Sequence, residues 1–214
     1  MAFYTKQPTL SAETGTVTFT TTHFSYYAVG YNPVRFNDVA GNAWYHRAVG
    51  FIAARGITTG TGDGEYSPDA SLKRADFLVL VMRAFGIAPD EPAADNFADA
   101  GDTYYTGYLA AAKRLGISRG VGDNLFSPET PITRQEMFTL LYNTLKILGG
   151  LPEGVSGKTV ADFSDSEEVA VWAVEALTRL VEAGIVRGSD GRLLPTSTTT
   201  RAEMAQVLYN LLVK

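Results

Sequence analysis

Three arginines stand where a cation is electrostatically out of place. Arg74, Arg134 and Arg201 each follow a Gly/Pro-containing loop and each open an apolar run of helical period. Two of them sit inside a helix-start signature. Thr133 with Glu136, and Thr200 with Glu203, have the Thr-x-x-Glu spacing of a capping box, in which hydroxyl and carboxylate satisfy each other's backbone N–H. In the first repeat the same positions hold Lys73 and Asp76. The arginine gains nothing from such a box. At the first helical position it opposes the helix dipole at a cost of about 0.3–1 kcal/mol. Repeating that placement three times calls for an anionic partner. A guanidinium beside a helix N-terminus suits an external carboxylate or phosphate. The competing expectation is an internal carboxylate, with Asp38, Asp99 and Asp165 the candidates, locking the repeats together.

The elements that would position these arginines recur as a unit. Phe36-Asn-Asp38, Phe97-Ala-Asp99 and Phe163-Ser-Asp165 each precede an aromatic-led helical run that ends at Gly56-Ile57, Gly116-Ile117 or Gly184-Ile185. The first helices are expected over 44–55, 105–115 and 169–183. Turn-rich loops follow, ending in Tyr66, Phe126 and Leu194 as expected core plugs. The second helices are expected over 73–85, 134–148 and 201–212. They are apolar nearly all round, which predicts burial. Order and spacing held three times over identify an internal repeat. The fold class is therefore mainly α: three helix-loop-helix repeats at 33–88, 94–149 and 159–214, forming a pseudo-threefold bundle. Residues 1–32 differ. The Thr/aromatic alternation around Val17, Phe19 and Thr21 predicts a short N-terminal β segment, read as the remnant of a preceding domain or linker, with a structural strap packed on the repeats as the alternative. Met1 is read as an expression start within a longer parent chain.

Composition narrows the chemistry. A formal net charge of −5 argues against nucleic-acid binding by phosphate neutralisation. The absence of cysteine removes disulfides, thiol catalysis and Cys-based zinc, and with two histidines, His23 and His46, no metal site is expected. No apolar run is long enough to span a membrane. The Asp-Gly pairs at 63–64 and 190–191 lack the ligand series of an EF-hand, and the glycines at 60–64 lack a P-loop lysine. Neither calcium nor a nucleotide cofactor is expected. The carboxylates Asp162/Asp165 and Glu167/Glu168 could serve a glycosidase, but acids at a helix start are equally well explained by the dipole. No enzyme activity is expected.

The ordered series of Phe-x-Asp, aromatic-led helix, Gly-Ile, Gly/Asp loop, aromatic-x-Pro and Ile-Thr-Arg-x-Glu resembles the S-layer homology (SLH) motif, over about residues 34–214. That resemblance implies a non-catalytic anchor of an exported bacterial surface protein, outside the cell in the wall or S-layer, with a Gram-positive host expected. It implies grooves between motifs that bind secondary cell wall polymer, an anionic polysaccharide often ending in pyruvylated N-acetylmannosamine. By the same resemblance Arg74, Arg134 and Arg201 are candidate partners of the pyruvyl carboxylate. Trp44, Tyr105 and Trp172 are candidate sugar-facing walls, and Gly60, Gly120 and Gly188 let ligand approach the backbone. Arg119 and Arg187, where repeat 1 has Thr59, join the candidates. The three grooves are expected to be unequal. The alternative reading is a protein–protein assembly module of a surface layer.

Overall fold

In a computed structural model of the chain, residues 9–11, 14, 16–18, 32–151, 153 and 156–213 are described. Within the N-terminal stretch, β1 (Thr9–Ser11) pairs antiparallel with β2 (Thr16–Thr18), with Leu10 opposite Val17. The rest of the expected β segment, including Phe19 and Thr21, lies outside the described residues. Six α-helices follow among them: α1 (His46–Ala54), α2 (Arg74–Ala84), α3 (Thr106–Leu115), α4 (Arg134–Ile147), α5 (Val174–Glu182) and α6 (Arg201–Leu212).

Each repeat contributes an outer helix (α1, α3, α5) and an inner one (α2, α4, α6). The inner helices supply much of the core: Phe77, Leu78, Met82, Met137, Leu141, Met204 and Leu208 are fully shielded or nearly so. Every inner helix packs on the outer helix of the next repeat, α2 on α3 and α4 on α5, and α6 returns to α1. The array is thus closed into a ring, so no repeat is left with an uncovered inner face.

Closure is built from backbone hydrogen bonds, those from the helix starts running one way round the ring and those at the axis the other. The first four N–H groups of an α-helix have no intrahelical acceptor, and here the first two find theirs in the next repeat. Arg74 N donates to Thr130 O (3.0 Å), Arg134 N to Ser197 O (2.9 Å) and Arg201 N to Ala70 O (3.0 Å). One residue on, Ala75, Gln135 and Ala202 donate to the carbonyls of Pro128, Pro195 and Pro68. At the axis a smaller triangle closes: Leu72 N to Thr199 O, Thr199 N to Ile132 O, and Ile132 N to Leu72 O, at 2.8–3.1 Å. All three of these residues are fully buried.

Two sequence expectations shift. The third outer helix does not run over 169–183. Turns of 3-10 helix at Ser166–Glu168 and Val171–Ala173 precede α5, and Ala170 between them is extended. Its N–H donates to Oε1 of Gln135 on α4 (3.0 Å), which takes it out of the helical ladder. The core plug of repeat 3 is Leu193, 1% exposed, and Leu194 is only half-buried. Leu193 has the same partner as Tyr66 and Phe126, the Phe-x-Asp carboxylate described below, whereas Leu194 takes φ +54 at the position of Ser67 and Ser127.

The axial triangle contains one mismatch. Thr199 replaces the apolar Leu72 and Ile132, and its hydroxyl is buried with no partner among the described residues. An unpaired buried hydroxyl costs about 1–3 kcal/mol. The isosteric Thr199→Val is expected to stabilise the fold by about 1 kcal/mol and raise Tm by roughly 2–4 °C for a chain of this size, read by a calorimetric or circular-dichroism melt. An unchanged or lower Tm contradicts the assignment.

Candidate functional site

The motif arginines are buried. Their side chains are 5%, 16% and 8% exposed for Arg74, Arg134 and Arg201. Each Nε donates to the carbonyl of the next repeat's core plug: Arg74 to Phe126 O (2.9 Å), Arg134 to Leu193 O (2.9 Å) and Arg201 to Tyr66 O (2.8 Å). Each guanidinium also faces the acid three residues into the next inner helix. Arg74 lies 2.8 Å from Glu136, while Arg134–Glu203 and Arg201–Asp76 are longer, at 3.9 Å. Arg74 and Arg201 sit over the rings of Phe126 and Tyr66, at 4.9 and 4.8 Å from the centroids. Leu193 offers no ring, and Arg134 lies over Phe138 of its own helix instead. That difference leaves Arg134 the most accessible of the three.

The anionic partner required by the arginines is therefore present within the chain, and it is not the one expected. Asp76, Glu136 and Glu203 fill the role. Asp38, Asp99 and Asp165 are occupied elsewhere, each accepting two consecutive loop N–H groups: Tyr66 and Ser67 for Asp38, Phe126 and Ser127 for Asp99, Leu193 and Leu194 for Asp165, all at 2.6–2.9 Å. This clamp holds the second residue of each pair at positive φ. For Asp165 burial works against ionisation, but the two N–H donors and Arg192 outweigh it and hold the carboxyl below its ordinary range. Burial also draws Arg74 and Arg134 below the usual arginine value, opposed chiefly by Glu136 and Glu203.

The capping boxes form where Thr-x-x-Glu is intact. Thr133 N and Oγ1 donate to Glu136 (2.8 and 2.7 Å), and Thr200 N donates to Glu203 (2.8 Å). In repeat 1 no side chain caps the helix at Lys73. The shorter Asp76 accepts from the Tyr104 hydroxyl instead.

A groove of about 440 Å³ opens where these groups meet. Its walls are the Thr58–Thr61 loop, the Asp76, Leu80 and Arg83 side of α2, and Tyr104 from repeat 2; Arg201 from repeat 3 joins the lining. We call this groove 1. The corresponding positions of the other repeats define groove 2 (Arg119, Gly120, Glu136, Trp172, with Arg74) and groove 3 (Arg187, Gly188, Glu203, Trp44, with Arg134). The ion pairs Arg74–Glu136 and Arg134–Glu203 fit that rotation.

The aromatic wall is Trp44, Tyr104 and Trp172, exposed by 62%, 61% and 56%. Tyr105 is not its member: it is 6% exposed and its hydroxyl donates to Glu129. The segment between Phe-x-Asp and the outer helix varies in length, so counting forward from Phe97 lands one residue late. Counting back from Gly56, Gly116 and Gly184 places Trp44, Tyr104 and Trp172 in register. Gly60, Gly120 and Gly188 have an internal reason to lack a side chain. A Cβ at each would strike the Phe36, Phe97 or Phe163 ring and a carbonyl across the loop, and all three have φ between +67° and +85°. Arg119 and Arg187 are exposed. Among the described residues no group of His, Asp and Glu is arranged to hold a metal, and no helix is long and apolar enough to cross a membrane.

The family model of the S-layer homology domain matches residues 35–78, 96–138 and 162–205. The chain belongs to the S-layer homology domain family. It is 34% identical over 208 residues to an amylopullulanase of Thermoanaerobacterium thermosulfurigenes, covering 96% of this chain and 11% of that protein. It is 30% identical to the S-layer protein EA1 of Bacillus anthracis (81% and 19%), and 31% identical to the exoglucanase XynX of Acetivibrio thermocellus (85% and 16%). The chain thus spans less than a fifth of the length of each. SLH repeats of this kind accompany S-layer proteins and enzymes alike.

Two outcomes follow from the geometry. Arg74→Ala leaves Glu136 and the Phe126 carbonyl without their cation, and breaking a buried pair costs about 3–5 kcal/mol. Urea unfolding is expected to show a loss of that order, with little recovery in Arg74→Lys, because a lysine cannot serve carbonyl, carboxylate and ring together. On the alkaline side, burial pushes Tyr66 up to about 12, against a lowering by Arg201, while its hydroxyl donates to Arg201 O (2.8 Å). The folded-state value exceeds the unfolded one. The contribution is therefore complete below pH 10 and lost as pH rises from about 10 to 12, by roughly 2–3 kcal/mol in all. Tyr66→Phe is expected to flatten that part of the stability–pH curve; an unchanged slope counts against it.

Proposed function

We propose that the chain is a non-catalytic anchoring module that attaches a larger surface protein to the bacterial cell wall, by binding an anionic wall polysaccharide in its inter-repeat grooves. The observation that carries this reading is the charge arrangement of the grooves in a chain of net charge −5. Each groove holds two arginines and one carboxylate, the motif arginine and the carboxylate at corresponding positions in all three. The motif arginine is matched by the carboxylate and locked by it, so one cation is left over. One unmatched cation beside an exposed aromatic face suits a sugar bearing a single carboxylate, such as pyruvylated N-acetylmannosamine in secondary cell wall polymer. Buried Arg74, Arg134 and Arg201 contribute a fixed positive potential. Trp44, Tyr104 and Trp172 form the sugar-stacking walls, and Arg119 and Arg187 are the direct carboxylate contacts of grooves 2 and 3. The family membership and the S-layer relatives support the location outside the cell at the wall. The enzyme names among the relatives fit this division of labour, since the chain corresponds to a small part of each.

A docking site for protein has one observation in favour: Val171, Trp172 and Val174 expose apolar surface together, with Val171 92% exposed. Its signature is a mass that rises with concentration in the absence of glycan.

Co-sedimentation with purified wall sacculi decides between the two. Anchoring requires that the chain pellet with intact sacculi and stay in solution with sacculi chemically stripped of their secondary polymer. Arg119→Ala, at an exposed site, is expected to weaken pelleting several-fold without moving the thermal melt. Pelleting that survives stripping refutes the glycan reading.

A further inference from the structure

Groove 1 departs from the other two at a pair of positions on opposite walls. On the loop wall it has Thr59 where grooves 2 and 3 have Arg119 and Arg187. On the helix wall it has Arg83, two turns beyond Asp76, where the other grooves have Asn143 and Asn210. The number of arginines per groove is therefore conserved within the molecule while the position of the second one is exchanged.

We propose that Arg83 is the ligand-carboxylate contact of groove 1, a specificity-determining residue that replaces the loop arginine of grooves 2 and 3 from across the groove; the proposal rests on the anionic-glycan reading above. Three features of the structure bear on it. Arg83 lines the groove together with Arg201 and its side chain is exposed, so its charge is available. It is also held in place. Its Nε donates to the Tyr108 hydroxyl (3.3 Å), and its guanidinium lies over the Tyr108 ring, 5.7 Å from the centroid. Counted from the helix-ending glycine, the other repeats have Ala48 and Ala176 where Tyr108 stands. The orienting tyrosine therefore occurs only in the outer helix that faces the relocated arginine. In groove 2 the helix-wall position does something else: Asn143 donates to Ile117 O (2.9 Å), tying α4 to the start of the loop.

The exchange changes what the groove can read. In grooves 2 and 3 the second cation sits on the loop, beside Gly120 and Gly188. In groove 1 it comes from α2, with the threonines of the loop opposite it as neutral hydrogen-bonding groups. Asp76, drawn to the Tyr104 hydroxyl as well as to Arg201, leaves Arg83 as the unmatched charge. A glycan carboxylate is thus placed against the helix wall in groove 1 and against the loop wall in the other two, so the three grooves present an extended polymer with non-identical subsites.

Nitrogen–proton correlation spectra separate the grooves, because the Gly60, Gly120 and Gly188 amides report on grooves 1, 2 and 3 respectively. Titration with a pyruvylated N-acetylmannosamine glycoside is expected to shift all three in the native chain. In Arg83→Asn the Gly60 response should weaken by about tenfold or more in midpoint while Gly120 and Gly188 respond as before. In Thr59→Arg/Arg83→Asn, which gives groove 1 the residue pair of the others, the Gly60 response should return. A Gly60 response that is absent from the native chain while the other two shift, or that is unaffected by Arg83→Asn, overturns the proposal and leaves the anchoring reading standing. Failure of all three glycines to respond overturns both.

Discussion

The structure depends on hydrogen bonds that leave each inner helix and end on the next repeat. A helix start presents N–H groups that must find acceptors, and here the acceptors are carbonyls of a neighbouring loop rather than of the same repeat. Because the helix-start bonds run in the same direction at all three joints, the repeats close into a ring, and a triangle of bonds running the opposite way seals the axis. The arginine at each helix start extends the same logic to side chains. It opposes the dipole of its own helix, but it gains a carbonyl, a carboxylate and, in two of three cases, an aromatic face from the next repeat. These gains are cooperative, since each repeat supplies the donors of one joint and the acceptors of another. The ring is therefore expected to unfold as one unit, unlike an open solenoid that can fray from its ends.

The grooves follow from that closure. Where α2 turns Asp76 toward Arg201, the Thr58–Thr61 loop before it and Tyr104 ahead of the next outer helix are left apart by a cleft. The ion pair that closes the ring is thus also groove furniture. Its rigidity suits an anchor, which must hold a ligand without paying to order its own side chains at each encounter. The division between a locked arginine and an exposed one separates two demands that compete at a single residue: buried enough to join repeats, exposed enough to meet a sugar.

Much of this was legible in the sequence because the repeats share their spacing. The helical class, the buried inner helices and the capping boxes at Thr133 and Thr200 follow from local rules. What was not legible depended on which repeat faces which. Ser/Thr-x-x-Glu accounts for Glu136 within its own helix, and nothing local shows that it also receives Arg74 from another. Asp38, Asp99 and Asp165 looked like ion-pair partners, yet they clamp loop amides, a role that leaves no periodic trace. Tyr104 rather than Tyr105 is exposed beside groove 1, because the turn before the outer helix varies in length between repeats; the glycine that stops that helix is the firmer reference. Gly60, Gly120 and Gly188 have a packing reason that no local pattern reveals: a Cβ at each would meet a phenylalanine ring of the chain itself. The fold called for the glycine before any ligand could.

Closure of the ring is proposed to create grooves whose unmatched cation holds a carboxylate-bearing sugar. Isothermal titration calorimetry with a defined pyruvylated wall-sugar fragment, run beside the same fragment lacking pyruvate and repeated at higher salt, tests it most directly. Saturable binding of the pyruvylated fragment is expected, weakened as salt screens the exposed arginines, with little or no binding of the uncharged one. Equal affinity for the two fragments, or affinity indifferent to salt, would contradict it.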